Sequence, residues 1–236
     1  MNIATTRYTT LFLDLDNTVY DFSASSREAY REVYQDMGYG RFFPSFDDYI
    51  ALYEPRNAEL WTLYNAGTIT KDELNALRYL YPLQQAGVPE AEALSAEFFR
   101  RAMRVLPTKG ILRPHALEAL DYLRPRYSLY ILSNGFTELQ TRKMQSAGIL
   151  GYFDGIVLSE DVGINKPDRR LFDHALDVAG ATIREVLMIG DDFAVDIEGA
   201  HAAGWDQMFY NYRNFAPLPF TPTYEIRSLE EVKEWL

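Results

Sequence analysis

Two aspartates, Asp14 and Asp16, follow the apolar run Leu11-Phe12-Leu13 in the stretch TTLFLDLDNTVYDF. Alternate residues of a strand share a face, so the two carboxylates are expected to project together. Carboxylates that close repel each other, and the repulsion helps one of them carry a proton. Three later apolar runs also end in polar residues. YSLYILSNG ends in Ser133, Asn134 and Gly135. DGIVLSED ends in Ser159 and Glu160, with Lys166 soon after, and EVLMIGDD ends in Asp191 and Asp192, with Asp196 a turn later. Ligands of open α/β sheets bind outside the carboxyl ends of the strands. These residues are therefore expected to meet in one crevice.

Several carboxylates in one crevice need a counter-charge. All-oxygen donors with no cysteine or histidine among them suit Mg²⁺ better than zinc. Lys166 adds a second positive charge, suited to a phosphate or phospho-aspartate oxygen. An aspartate can act as a nucleophile and form an aspartyl-phosphate; Asp14, at the strand end, is the candidate. Asp16 is the candidate for protonating the leaving oxygen and then activating water. Ser133 and the backbone N–H groups of Asn134 and Gly135 make a candidate cradle for phosphoryl oxygens. One donor in such a cradle is typically worth about 3–4 kcal/mol in acyl transfer. Thr18, just past the two acids, is a supporting candidate.

The elements that must position these residues alternate. Strands are predicted over 9–19, 127–135, 154–161, 185–192 and, more weakly, 205–211. Helices are predicted over 114–123, 137–147, 168–179 and 193–203, and YEIRSLEEVKEWL reads as a short edge strand and a closing helix. Near-continuous apolar strands alternating with helices predict an α/β fold, a Rossmann-like parallel sheet covered by helices on both faces. Thr137 with Gln140, and Ser228 with Glu231, read as capping boxes. Gly148, Gly180 and Gly204 fall at predicted helix ends. Residues 20–106 show helical patterns and no convincing strand, with Gly38 and Gly87 at helix ends and Thr70 with Glu73 as a capping box. The expected organisation is a core of residues 1–19 and 107–236 with an all-helical domain of 20–106 inserted.

The 236 residues are 47% hydrophobic and 24% charged, an ordinary globular balance. The chain has no cysteine, which removes disulfides, thiol catalysis and thiolate metal sites. No apolar run reaches the ~18 residues of a membrane helix. The N-terminal residues carry no long apolar core, so no leader and a cytoplasmic location are expected. The net charge of -11 argues against a nucleic-acid polymer as partner. A small phosphorylated metabolite stays compatible, because one local cation can outweigh the global field.

Four segments in order resemble the haloacid dehalogenase superfamily of phosphohydrolases: DLDNT (Asp14–Thr18), LSNG (Leu132–Gly135), Lys166 in NKPD, and GDDFAVD (Gly190–Asp196). The resemblance runs from about residue 9 to 211. It implies that Asp14 is the nucleophile and a side-chain ligand of Mg²⁺, and that Asp16 is the general acid/base and a metal ligand through its backbone carbonyl. It further implies Asp191 as the third protein ligand and Asp196 as the group that orients Lys166 or a metal-bound water. Asp192 departs from the smaller residue common there; it is either an outer support of the metal or the next helix's N-cap. The insertion matches the family's mobile cap domain. LWTLYNAGTIT, SNGFTELQ and LSEDVGINKPDRRLFDHAL are similar to noncanonical pyrimidine 5′-nucleotidases of the superfamily. The implied substrate is then a nucleoside monophosphate; the expected assembly is a monomer or homodimer. A sugar-phosphate phosphatase or a phosphoglucomutase shares all four motifs and is the alternative. A dehalogenase needs no second acid such as Asp16, and a receiver domain is about half this length. Tyr49, Tyr53, Trp61, Tyr64, Tyr79 and Tyr81 read mostly as helix packing. Trp61, Tyr64 and Phe136 are the weakly supported candidates for stacking on a base.

Overall fold

The computed structural model describes residues 7–236, which divide into two compact units. One comprises residues up to Phe22 together with Gly110–Leu236; the other is Ser23–Lys109. The second unit is built from four helices, α1 (Phe22–Asp36, begun in the first unit), α2 (Phe46–Asn65), α3 (Lys71–Gln85) and α4 (Ala91–Val105). Ser45 caps α2 by accepting the Asp48 N–H, and Thr70 with Glu73 forms a reciprocal capping box on α3. Gly38 and Gly87 take left-handed φ values of 61° and 66°, where a β-carbon is disfavoured. The core of this unit is aromatic: Tyr30, Tyr49, Tyr53, Tyr79 and Phe98 are each at most 3% exposed. Trp61 and Tyr64 pack edge to face at 5.6 Å on the last turns of α2 and are partly exposed.

The first unit is a six-stranded sheet among the described residues. Its strands are β1 (Thr10–Leu13), β2 (Ser128–Ser133), β3 (Gly155–Leu158), β4 (Val186–Gly190), β5 (Asp206–Tyr210) and β6 (Tyr224–Ile226). The order is β3-β2-β1-β4-β5-β6 and every pairing is parallel. β1 lies central and is wholly buried, which explains its unbroken apolar sequence TLFL. Helices α5 (Ala116–Leu123), α6 (Thr137–Ser146), α7 (Ser159–Val162), α8 (Arg169–Ala179), α9 (Glu198–Ala203) and α10 (Val232–Trp235) complete the unit.

Strand alternation divides the core between two faces. Leu11, Leu13, Leu129, Ile131, Leu187 and Ile189 pack with α5 residues Ala119, Leu120 and Leu123, with Met144 of α6 and with Val232 of α10. Phe12, Leu132 and Met188 pack on the other face against Leu171, Phe172 and Ala175 of α8 and Ala200 and Ala203 of α9. Helices thus cover both faces of the parallel sheet. Two expectations need correction. The first strand ends at Leu13 rather than at 19, because Asn17 turns left-handed at φ 65° and closes a tight loop onto the Tyr20 carbonyl. Thr137 and Gln140 form no capping box: Phe136 occupies the N-cap position of α6 without a side-chain cap.

Candidate active site

Asp14, Ser133 and Asp191 stand at or just beyond the carboxyl ends of β1, β2 and β4, the three central neighbours of the sheet. The Asp14 N–H still donates to the Ile189 carbonyl, which holds its backbone in register with β4. Its carboxylate accepts from Lys166 Nζ at 2.8 Å. Lys166 is 1% exposed and also donates to Asp196 Oδ1 at 2.7 Å and to the Leu132 carbonyl at 2.7 Å. Its three ammonium protons are therefore each directed at a named oxygen. Asn134 fixes the lysine's backbone from both sides: its Nδ2 donates to the Lys166 carbonyl at 2.9 Å, and its Oδ1 accepts the Lys166 N–H at 2.8 Å.

Asp196 lies in a single wide π-turn, Phe193–Ile197, after β4. Its second oxygen accepts the Asp192 N–H at 3.1 Å. Gly190 makes this closure possible, since a β-carbon there would lie 2.3 Å from Asp196 Oδ2. Asp192 is exposed and caps the same turn by accepting the Val195 N–H at 3.0 Å. Thr18, fully buried, donates to Asp191 Oδ1 at 3.3 Å. Arg213, in the loop after β5, donates to Asp191 Oδ2 at 2.9 Å.

Oxygens of Asp14, Asp191 and Asp196 lie within 4.8 Å of one another. Burial first, then the neighbouring Asp196, raises Asp191 to about 7, with Arg213 opposing. Burial likewise raises Asp14 well above the ordinary carboxylate range, against the pull of Lys166, and it raises Asp196 as well. Burial opposes the Lys166 ammonium too, but Asp14 and Asp196 outweigh it and hold its pKa above the usual lysine value. Burial is the common cause for the three carboxylates, and repulsion from neighbouring carboxylates adds to it, with Lys166 and the half-exposed Arg213 as the opposing cations. An all-oxygen, buried, net-negative cluster fits a hard divalent cation such as Mg²⁺. Asp196 is held at both oxygens by buried partners, Lys166 and a backbone N–H, whereas Asp14 uses one oxygen on Lys166 and Asp191 Oδ2 meets only the exposed, displaceable Arg213. Asp14 and Asp191 are accordingly the carboxylates best placed to hold the ion.

Asp16 lies near enough to Asp14 for its charge to add to the rise in the Asp14 pKa. Beyond the strand end the backbone has left the pleat, and each aspartate meets its own lysine. Lys143 Nζ lies 2.6 and 2.8 Å from the two Asp16 oxygens, and Gln140 Nε2 adds a bond to Oδ2 at 3.0 Å. The same Nε2 donates to Ser133 Oγ at 2.7 Å, and the Gly135 N–H donates to that oxygen at 3.0 Å. Phe136, beside this cradle, is buried. Trp61 and Tyr64 belong to the other unit.

Gln140, Lys143 and Arg213 are the site residues that strand-end reasoning misses. A signal for two of them exists. The buried stripe of α6 reads Leu139, Gln140, Lys143, Met144, so two polar residues interrupt an apolar face. Arg213 follows a strand as one of several polar loop residues and carries no comparable signal.

Comparisons with known proteins identify the family. A family model described as haloacid dehalogenase-like hydrolase matches residues 8–204. The chain is 32% identical to the putative HAD-hydrolase YfnB of Bacillus subtilis over 96% of its length and 94% of the relative's. The magnesium-bound crystal structure of YfnB superposes with a TM-score of 0.87, covering 98% of this chain and 99% of that one. Identity to the pyrimidine 5′-nucleotidase YjjG of Escherichia coli is 31%, covering 96% of each chain. Identity to the pyrimidine 5′-nucleotidase PynA of Streptococcus pneumoniae is 30%, covering 97% of this chain and 95% of that one. The match extends through sheet and helical insertion alike, and the chain belongs to the haloacid dehalogenase-like hydrolases.

Proposed function

We propose that the protein is a Mg²⁺-dependent phosphomonoesterase that hydrolyses pyrimidine nucleoside 5′-monophosphates through an aspartyl-phosphate. The observation that carries the substrate reading is identity of 30% or more sustained over nearly the whole chain. Likeness to the two pyrimidine 5′-nucleotidases spans 96% and 97% of the chain, including the helical insertion. Phosphatases named for sugar phosphates also align over most of the chain but at lower identity, 28% over 86% for the ribulose-1,5-bisphosphate 5-phosphatase of Halopiger xanaduensis and 24% over 92% for the N-acylneuraminate-9-phosphatase of Mus musculus. The substrate is then a small phosphate ester rather than a nucleic-acid polymer.

Asp14 is the nucleophile. Its free carboxylate oxygen attacks phosphorus as the ester P–O bond breaks, and Asp16 delivers a proton to the departing oxygen. A water then attacks the acyl-phosphate, Asp16 takes its proton, and Asp14 is released with inorganic phosphate. Lys166 keeps Asp14 oriented and balances charge gathered on the phosphoryl oxygens. Ser133 and the backbone N–H groups of Asn134 and Gly135 bind those oxygens. Asp14, Asp191 and the Asp16 carbonyl would hold Mg²⁺, which when bound would supply Lewis-acid neutralisation of the phosphate charge.

Phosphate release from UMP, dUMP, dTMP and 5-halogenated analogues, beside sugar phosphates, tests the reading. Pyrimidine nucleotides are expected to lead in kcat/KM, and chelation by EDTA to abolish turnover. Asp14→Asn is expected to remove roughly 10³-fold of kcat or more with the fold intact. Equal rates on sugar phosphates would sink the nucleotide assignment, and activity that survives EDTA would sink the mechanism.

A further inference from the structure

Ser133 is a hydroxyl whose bonding is already half decided. Such a group has two lone pairs and one proton. Both lone pairs are filled, by the Gly135 N–H at 3.0 Å and by Gln140 Nε2 at 2.7 Å. The remaining proton can only be donated. A serine prepared this way suits an anionic oxygen and cannot accept from a neutral hydroxyl.

Gln140 reaches Ser133 because of a missing atom. A β-carbon on Gly135 would lie 1.8 Å from Gln140 Nε2. The glutamine is fully buried, and its two amide protons are spent on Ser133 and Asp16. This also fixes which end of the amide faces the carboxylate, since only the NH₂ end can donate to both oxygens. Three residues on, Lys143 projects from the same side of α6. It is 2% exposed, and its ammonium lies 5.4 and 5.1 Å from the ring centres of Tyr20 and Phe22. The two rings favour a cation at this position. Its bonds to both Asp16 oxygens fix the plane of that carboxylate. One quarter of the Asp16 side chain stays exposed, which leaves surface for proton exchange.

We infer that Gln140 and Lys143 are a positioning pair for the reaction: Gln140 makes Ser133 an obligate donor to a phosphoryl oxygen, and the two together set the Asp16 carboxylate in its working orientation. The inference rests on the phosphatase reading above, with Asp14 as nucleophile and Asp16 as acid and base. The two residues divide the work. Gln140 touches both the phosphate cradle and Asp16, whereas Lys143 acts through Asp16 alone.

The test uses the full chain with Mg²⁺, p-nitrophenyl phosphate for turnover and inorganic phosphate for binding. Gln140→Met, close in size and without a donor, is expected to weaken phosphate binding about tenfold, the scale of one lost hydrogen bond. Lys143→Met is expected to leave phosphate binding within about twofold and to lower kcat roughly 10²-fold, the cost of a misplaced catalytic group. Lys143→Arg should recover most of that loss. In an Asp16→Asn background, Lys143→Met should cost less than about threefold, since the group it positions is gone. An equal loss from Lys143→Met with and without Asp16 would overturn the inference, as would unchanged phosphate binding in Gln140→Met. If Lys143→Met does not fold, Gln140→Met and Lys143→Arg carry the decision, and a Lys143→Arg variant as slow as Asp16→Asn speaks against it. Phosphate binding read by calorimetry needs no turnover. A wild-type protein that binds phosphate but cleaves no ester would overturn the phosphatase reading, while the Gln140 arm would still be decided.

Discussion

The two units bury polarity in opposite ways. In the sheet unit, buried cations face carboxylates: Lys166 lies between Asp14 and Asp196, and Lys143 lies on Asp16. In the helical unit, the buried polar groups are neutral apart from Arg78, with tyrosine hydroxyls foremost among them. Tyr53 and Tyr79 both donate to the Tyr30 hydroxyl, at 3.3 and 2.9 Å, and all three are buried. The one buried guanidinium there among the described residues, Arg78, meets no carboxylate. It donates to Asn75 Oδ1 at 2.6 Å and lies 4.9 Å from the Tyr79 ring centre. Burying an ion costs several kcal/mol even after relaxation, whereas a hydroxyl with a partner costs little. The sheet unit therefore carries charges that only chemistry justifies, and the helical unit uses polarity mainly to set packing.

Removing a cation from the charged unit should break this contrast most visibly. Lys166→Met leaves Asp14 and Asp196 buried without their shared partner. Breaking a buried pair by deleting one side typically costs about 3–5 kcal/mol. Urea unfolding should show a loss of that size, together with loss of turnover. A loss under about 1 kcal/mol would mean that the lysine's bonds carry no net weight in the fold.

An effect of similar size is expected at Asp191, and it depends on pH. Its pKa is about 7 in the fold and about 3.9 in an unfolded chain, so between those values the folded state binds more protons. Without Mg²⁺, stability should fall as pH rises from about 4 to 7, and the penalty should be complete above 7. Asp191→Asn removes the titration. In EDTA at pH 8 the variant should be more stable than the wild type, and at pH 4 the two should nearly coincide. Adding Mg²⁺ at pH 8 should raise the wild-type melting temperature and not the variant's, since an ion that binds only the native state stabilises it. The same slope in both proteins would place the titration on another group.

Part of this arrangement is legible in the sequence, and the physics says which part. A central parallel strand is buried on both faces, so its apolar run is continuous and easy to find. The strand-end rule then gathers Asp14, Ser133 and Asp191 with no further input. Strand length is harder, because LDLDNTV keeps an alternating pattern although residue pairing with both neighbours ends at Leu13 and only the Asp14 N–H still reaches β4. Gln140 shows how a local rule loses to a tertiary one. Thr137-Glu138-Leu139-Gln140 satisfies the capping-box pattern, yet the Gln140 amide turns inward to Ser133 and Asp16, while the Thr137 N–H is taken by Glu160 at 2.8 Å. Lys143 follows an arginine on a helix and looks like a solvated face. Its partner is 127 residues away in the chain, and no local periodicity encodes that distance.

The smallest expected effect sharpens the contrast from the other side. Arg78→Met keeps much of the volume of a long side chain and removes an ion that no carboxylate balances. Replacing a buried charge by a well-packed apolar group is often neutral or stabilising. The change leaves Asn75 Oδ1 without its donor, which opposes the gain by about 1–3 kcal/mol. The two terms nearly cancel, so urea unfolding of Arg78→Met should differ from wild type by no more than about 1 kcal/mol. A destabilisation as large as that expected for Lys166→Met would show that Arg78 is balanced by negative charge after all. The tyrosine hydroxyls around it, which burial and their mutual bonds hold in the neutral form, would then no longer account for the core of this unit.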